Sequence, residues 1–590
     1  MRTNPHAASE RGQLPKLQQH RRLPLLQPLL RPSSRTALVS LLLFLLLGAF
    51  LFWGQPARTA ARVWAFAAPF SLALLYMRAD VSRRGRLAAG VISFVGFAAA
   101  WIDAAVRGFI FAAYGSEPLS GFVVESVANT HPKEAAEYFW TAASEMLPWA
   151  LLAAAGICIS AAAIFRLSKL AAPVEKNARP LPSRLSQIWT VFLVLFAALV
   201  WSLRPWRALL PPIYWTNWLH AIEGFQAKWT QFADEKQDET SDSKREILSR
   251  GSADHTIVLT IGESTVRDHF SIYGYERRTT PKLEAQAADD ERLVVVQNAW
   301  SADANTLGAF RSMFKLPGES KDDPDNVFAY FHAAGWKIWW ISNQDDTAIK
   351  GEFAAFADHQ LFLNPLSGRS SLSLDGKVIA PLEKALADPA EKKLIVVHLI
   401  GAHPHYSLRY PPEFAPKWPE GDAVERHLES LDRSAWIIDA VNQYDAAMTY
   451  QDDVLNKTLE LTKAASRMGS VDWIYLSDHG QELGRWANRT GHSRLTPSGY
   501  RIPLLLWSSD GRLKRQALAE KPFRADRLSP LLLTLAGIDW KRESAEDDFL
   551  SSAYDWDALE HLPDDADLKK AEAFDADAQK HQPALQPPKP

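Results

Sequence analysis

Five apolar blocks crowd the first 203 residues of this 590-residue chain, at 36–53, 63–77, 87–113, 147–165 and 188–203. Stretches with so few charges suit helices that cross a bilayer, because a helix satisfies its own backbone where no water can. The tail 1–35 carries Arg21, Arg22, Arg31 and Arg35 and has the polarity of a signal peptide. Further apolar blocks follow it, so the first is expected to remain as an uncleaved membrane helix. Arg and Lys also gather in 78–86 and 166–184, whereas 114–146 sets Glu117, Glu125, Glu134, Glu137 and Glu145 against Lys133 alone. Basic loops stay in the cytoplasm, so five spans would deliver everything after 203 to the opposite side. Arg58 and Arg62 run against that pattern. Asp103 and Arg107 stand one helical turn apart inside the third block and are expected to pair, since an isolated charge there is costly.

The net charge of −3 argues against a nucleic-acid partner, which needs a basic surface. The single cysteine, Cys158, lies in an apolar block, so an internal disulfide and a thiolate metal site are both excluded. Any metal falls to His, Asp, Glu or hydroxyl oxygen.

Trp206, Tyr214, Trp215, Trp218 and Trp229 precede the polar run DEKQDETSDSK, so 204–250 reads as an interfacial helix followed by a flexible connector. From 251 to 540 short apolar runs at 257–261, 293–296, 336–341, 394–399, 473–476 and 504–507 alternate with amphipathic stretches. That alternation predicts an α/β domain with a mostly parallel central sheet. The tail 541–590 is acidic and then rich in Pro and Gln, and is expected to be poorly ordered.

Two of the strand-like runs end in chemistry. The first stops at Gly262 and presents Glu263, Ser264 and Thr265; the run 473–476 presents Ser477, Asp478, His479 and Gly480. A lone Glu after a strand is ordinarily a solvated turn residue. Two strand ends offering Glu and Asp-His instead allow convergence on one metal.

The stretch GESTVRDHFSIYGYERRTTPKL resembles the signature of the membrane-bound phosphoethanolamine transferases, members of the alkaline phosphatase and sulfatase superfamily. VVHLIGAHPHYSLRYP resembles that family's middle histidine motif, and YLSDHGQELG with the later Gly491-His492 its second metal motif. The likeness covers most of the chain, since the family also has five membrane helices, a bridging segment and an extracytoplasmic domain. It implies that Glu263, Asp478 and His479 bind zinc, with a threonine nucleophile in the fourth position. The matching stretch, SADANTLGAFRSMF, assigns that role to Thr306, although the family's Pro-Cys before Met313 is absent; Ser264 is the neighbouring alternative. Thr306 also reads as the N-cap of the following helix, and the two roles are compatible because a helix N-terminus favours phosphate.

By the same likeness His403 and His492 would contact the transferred phosphate or a second metal, while His398 reads as structural and His405 as either. Arg267 and His269 would support the first motif, and Tyr275, Thr279, Thr280 and Pro281 would form a turn. FVVESVANTHPKEAAEYF resembles the segment that receives the donor lipid. Its Ser126, Thr130 and Glu134 recur at helical spacing, either as one face meeting an ethanolamine ammonium or as a helix cap by Thr130.

A threonine hydroxyl is a weak nucleophile at neutral pH, and zinc both makes its alkoxide accessible and polarises a phosphoryl oxygen. The resemblance therefore implies zinc-dependent transfer of phosphoethanolamine from phosphatidylethanolamine to lipid A, a lipopolysaccharide core sugar or a periplasmic glucan, at the inner membrane with the catalytic domain in the periplasm. A phosphoglycerol transferase of the same superfamily and a catalytically silent lipid-binding membrane protein are the rival readings. A sulfatase is disfavoured, because the soluble part has no Cys- or Ser-x-Pro-x-Arg motif.

Overall fold

The computed structural model describes residues 34–77, 82–130, 135, 138–140, 142–170, 184–251, 254–320, 323–344, 346–364 and 374–555. Glu134, nearly all of the basic tail 1–35 and residues 556–590 lie outside these. The chain divides into two compact units, one made of Met1–Gly108 with Trp149–Tyr214, the other of Phe109–Pro148 with Trp215–Pro590.

Among the described residues three helices are long and apolar enough to cross a membrane, Arg35–Gly54, Arg83–Tyr114 and Ala143–Lys169; Gln187–Ser202 is a shorter apolar helix. The expected second span is helical in pieces, Ala57–Trp64 and Ala68–Leu75, joined by the 3-10 turn Ala65–Ala67. Pro69 accounts for the break, since it has no N–H to donate back to the preceding turn. Five spans are therefore not confirmed.

Asp103 and Arg107 pair as expected, with Arg107 Nε 2.9 and 3.0 Å from the two carboxylate oxygens. Arg107 also donates to the Leu209 carbonyl at 3.1 Å and lies 3.5 Å over the Tyr214 ring, so the ion pair pins the stretch that leaves the bundle.

The second unit is built on a seven-stranded sheet in the order Leu293–Val295, Leu504–Ser508, Ser470–Ser477, His255–Gly262, Lys392–His398, Lys337–Ser342, His359–Phe362. All pairings are parallel except the two made by Leu504–Ser508. The central strand His255–Gly262 is buried along its whole length, which is why it reads as a continuous apolar run and not an alternating one. The register sets Gly262 beside Ser477 and Ile261 beside His398, so three neighbouring strands end level. The helix Ala435–Ala465 covers one face, burying Val441, Tyr444, Met448, Leu455 and Leu459 at helical spacing.

Two expectations fail here. Pro211–Glu246 is one 36-residue helix, so the polar run is not a flexible connector: it contains no Pro or Gly, and Glu, Lys and Gln are adequate helix formers. Nor is the start of the tail loose. Phe549 is fully buried, with its ring centroid 5.2 Å from that of Phe523, and Leu550 and Tyr554 pack against the same core.

The segment 109–148 belongs to the second unit. Its helix Gly121–Asn129 contributes Ala128 to the core that holds Leu307 and Phe310.

Candidate metal and phosphoryl-transfer site

Glu263 extends the central strand, and Asp478 and His479 extend its neighbour Ser470–Ser477; all three are fully buried. Thr306 arrives from elsewhere, as the first residue of the helix Thr306–Phe314. The N-cap is Asn305, whose Oδ1 accepts from Gly308 N at 2.9 Å, and not Thr306. The capping work falls to the residue before, and the Thr306 hydroxyl turns to the strand ends. Its Oγ1 lies 3.3 Å from both Glu263 carboxylate oxygens and 3.5 Å from His479 Nε2. His479 Nε2 is in turn 3.5 Å from Glu263 Oε1 and 3.4 Å from Asp478 Oδ2. Of the four positions singled out in the sequence, Glu263, Thr306 and His479 thus meet at one point, and Asp478 adjoins it through His479.

The donor set fits a cation. Asp478 Oδ1 accepts from Ser264 N at 3.0 Å and from His479 N at 2.7 Å, but its Oδ2 is buried with no hydrogen bond. A buried acceptor whose near partner is the His479 Nε2 at 3.4 Å is one that a metal could take up. His479 Nδ1 lies 2.8 Å from the Gly480 carbonyl, which fixes the ring with Nε2 toward the centre. Burial and the adjacent Glu263 raise the Asp478 carboxyl to about 7. Burial opposes a charged imidazole, yet Asp478 and Glu263 together lift His479 to about 9. Two carboxylates enclosed in apolar surroundings demand positive charge, as a proton on His479 or as a metal.

His492 joins this group: the ligand atoms of Glu263, His479 and His492 all lie within 4.8 Å of one another. His492 is presented just after a short ribbon, Glu482–Leu483 paired with Thr490–Gly491, and its Nε2 is 3.3 Å from Ser264 Oγ. His403 is buried, its ring centroid 6.3 Å from that of His492. His398 is structural in the sense expected, held by Ser342 Oγ at 3.1 Å and Gln344 Nε2 at 2.9 Å. His405 has φ +42, a strained left-handed backbone.

Other sequence candidates lie elsewhere. His269 bonds Asp445 at 2.6 Å, and Arg267 donates to the Ala299 carbonyl at 2.6 Å. The Thr279–Thr280 turn is confirmed by Thr279 Oγ1 donating to the His269 carbonyl at 2.6 Å and Ser271 N donating to Thr279 Oγ1 at 3.1 Å. Ser126 and Thr130 do not share a helix face, because the helix ends at Asn129 and Thr130 is extended, donating its hydroxyl to the Ser126 carbonyl at 2.6 Å. Thr130 is therefore the C-cap of this helix; residues 131–134, which would follow it in a helix that it starts, lie outside the described residues.

Sequence reasoning missed three supports. Gly401, at φ +53, packs so tightly that a Cβ would stand 2.4 Å from the Glu263 carbonyl oxygen and 2.6 Å from its nitrogen. Asp375 accepts four hydrogen bonds, from Ile400 N, Gly401 N, Asn343 and Gln451, and fixes that loop. Gln344 Nε2 lies 3.3 Å from Glu263 Oε2. Only Gly401 left a signal, being a glycine between two apolar residues and a histidine motif.

The sulfatase family matches residues 255–538. Phosphoethanolamine transferase EptC of Escherichia coli (strain K12) is 33% identical over 288 residues, covering 47% of this chain and 48% of that protein. The Kdo(2)-lipid A phosphoethanolamine 7''-transferase of the same organism is 28% identical over 330 residues, covering 52% and 54%. The chain spans about half the length of the curated relatives it matches. Among solved structures, the integral membrane protein lipooligosaccharide phosphoethanolamine transferase A from Neisseria meningitidis has the same fold over 88% of this chain and 98% of its own, at a TM-score of 0.53 and 18% identity.

Proposed function

We propose that this chain, whose residues 255–538 match the sulfatase family, is a metal-dependent phosphoethanolamine transferase of the inner membrane with its catalytic domain in the periplasm. The observation that carries the reading is the Thr306 hydroxyl at a helix N-terminus, 3.3 Å from Glu263 and 3.5 Å from His479. The relatives named as phosphoethanolamine transferases supply the group transferred. Glu263, Asp478, His479 and Thr306 would hold zinc, with His492 in reach. When bound, zinc lowers the pKa of the threonine hydroxyl and draws charge from the phosphoryl oxygens.

Thr306 Oγ attacks the phosphorus of phosphatidylethanolamine and loses its proton. The bond from phosphorus to the diacylglycerol oxygen breaks, and that oxygen takes up a proton as diacylglycerol leaves. Phosphoethanolamine is then esterified to Thr306. A hydroxyl oxygen of lipid A, a core sugar or a glucan attacks the phosphorus next; the bond from phosphorus to Thr306 Oγ breaks, and the proton that the acceptor loses restores the Thr306 hydroxyl. The amide groups at the start of the Thr306 helix face the phosphate, and His403 and His492 offset charge on the oxygens in both steps. Ser126 and Thr130, on a segment whose Ala128 shares a core with Leu307, are candidate contacts for the donor headgroup, with Glu134 beside them in sequence.

Thr306→Ala should abolish transfer while leaving zinc content largely intact. Mass spectrometry of enzyme trapped with donor should find phosphoethanolamine on Thr306; a phosphoglycerol adduct would make it the rival enzyme. Full activity in Thr306→Ala removes the covalent step.

A further inference from the structure

Ser264 is a buried, non-glycine residue at φ +56, immediately after Glu263. That left-handed backbone is unfavourable for serine and persists only where the surroundings impose it. Its consequence is specific: Ser264 N donates to Asp478 Oδ1 at 3.0 Å, and Ser264 Oγ donates to Glu263 Oε1 at 2.9 Å. One residue in a strained conformation therefore orients two carboxylates contributed by different strands.

Ser477 Oγ accepts from Thr265 N at 2.9 Å, and a second group that holds the turn comes from the helix Ala435–Ala465. The Tyr444 hydroxyl donates to the Ser264 carbonyl at 3.1 Å and accepts from Val266 N at 3.0 Å, closing a bridge across the turn. The ring is fully buried, set edge-on to His269 at 5.2 Å and to Tyr406 at 5.1 Å. Next along the helix, Asp445 bonds His269, Tyr275 and Arg277, so the helix grips the same loop twice.

We propose that Tyr444 is a positioning residue for the metal site, acting through Ser264 to set the separation and orientation of Glu263 and Asp478. The inference rests on the proposed metal-dependent reading. Its distinguishing content is that the hydroxyl matters beyond the ring. A residue that only fills the core would be replaced by Phe with little effect on metal.

The test is zinc affinity of the full chain in detergent, read by competition with a chromophoric chelator. Tyr444→Phe keeps the ring and should weaken zinc binding about 10- to 100-fold, the range for residues that orient ligands. Transfer at saturating zinc should return toward the wild-type rate. Tyr330→Phe removes a buried hydroxyl that bonds Asp325, away from the site, and should leave affinity unchanged. Ser264→Gly accepts the left-handed backbone without strain but loses the link to Glu263. It should weaken zinc by itself, and Tyr444→Phe should cost less on top of it than alone. Affinity within twofold of wild type for Tyr444→Phe overturns the inference, as do independent, multiplying effects of the two changes. If Tyr444→Phe does not fold, unchanged zinc affinity in Ser264→Gly overturns it equally. Failure of the wild type itself to bind zinc is a separate result, which removes the metal-dependent reading and this inference with it.

Discussion

Gly401→Ala is the substitution whose outcome the geometry fixes most tightly. The new methyl would meet Glu263 backbone at 2.4, 2.6 and 3.1 Å, where ordinary contact begins at 3.4 Å, so a displacement of about 1 Å must be absorbed. Neither partner is a flexible side chain. Glu263 is held by Ala402 N donating to its carbonyl at 2.9 Å, and Gly401 N donates to Asp375 at 3.0 Å. The left-handed φ adds about 1–2 kcal/mol, and overpacking a further ~1–3 kcal/mol. A shift of that size at a proposed metal ligand should lower kcat/KM about 100-fold. Gly421→Ala is the matched control, since it has φ +64 but nothing within 4 Å of the added Cβ. It should lose only the backbone term, about 1–2 kcal/mol, and no activity. Thermal denaturation and transfer assays on both proteins decide the matter. If Gly401→Ala matches Gly421→Ala in rate and stability, the loop 400–403 does not position Glu263.

Two further outcomes follow from charge. His479 is raised to about 9, so below that pH its imidazole carries a proton that metal must displace. Zinc affinity should therefore fall as pH drops, and calorimetry at pH 7 in buffers of different ionisation enthalpy should register release of at least about one proton; none released would mean that His479 is not a ligand. In the helical bundle, Asp103→Ala leaves Arg107 without its buried carboxylate and should cost about 3–5 kcal/mol in thermal stability, whereas Asp103→Ala with Arg107→Leu should recover part of it. Equal loss in single and double variants would show that the pair contributes nothing beyond its volume.

The sequence was most informative where one residue type answers to one local requirement. Runs such as 257–261 and 473–476 are apolar because parallel strands are covered on both faces, and the residues following them, Glu263 and Asp478-His479, stand out because they are charged or titratable groups at buried strand ends. Those features survive reading in one dimension. The capping error at Thr306 came from the same kind of reasoning, since Asn305 and Thr306 are both good caps and only three-dimensional packing assigns the work to Asn305. The spacing of Ser126 and Thr130 misled because period alone carries no stop signal, and the helix ends at Asn129. Asp375 and Tyr444 were illegible, and Gly401 showed only as a glycine ahead of a histidine motif, for another reason. Gly401 acts on the backbone of Glu263, and Tyr444 on that of Ser264 and Val266, residues more than 100 positions away in the chain, while Asp375 holds the Gly401 loop. A backbone contact places no demand on the partner's side chain, so no pattern in the partner's sequence records it. The candidate metal ligands were readable from their chemistry, whereas what fixes their separation emerges only once the sheet brings 263, 401 and 444 together.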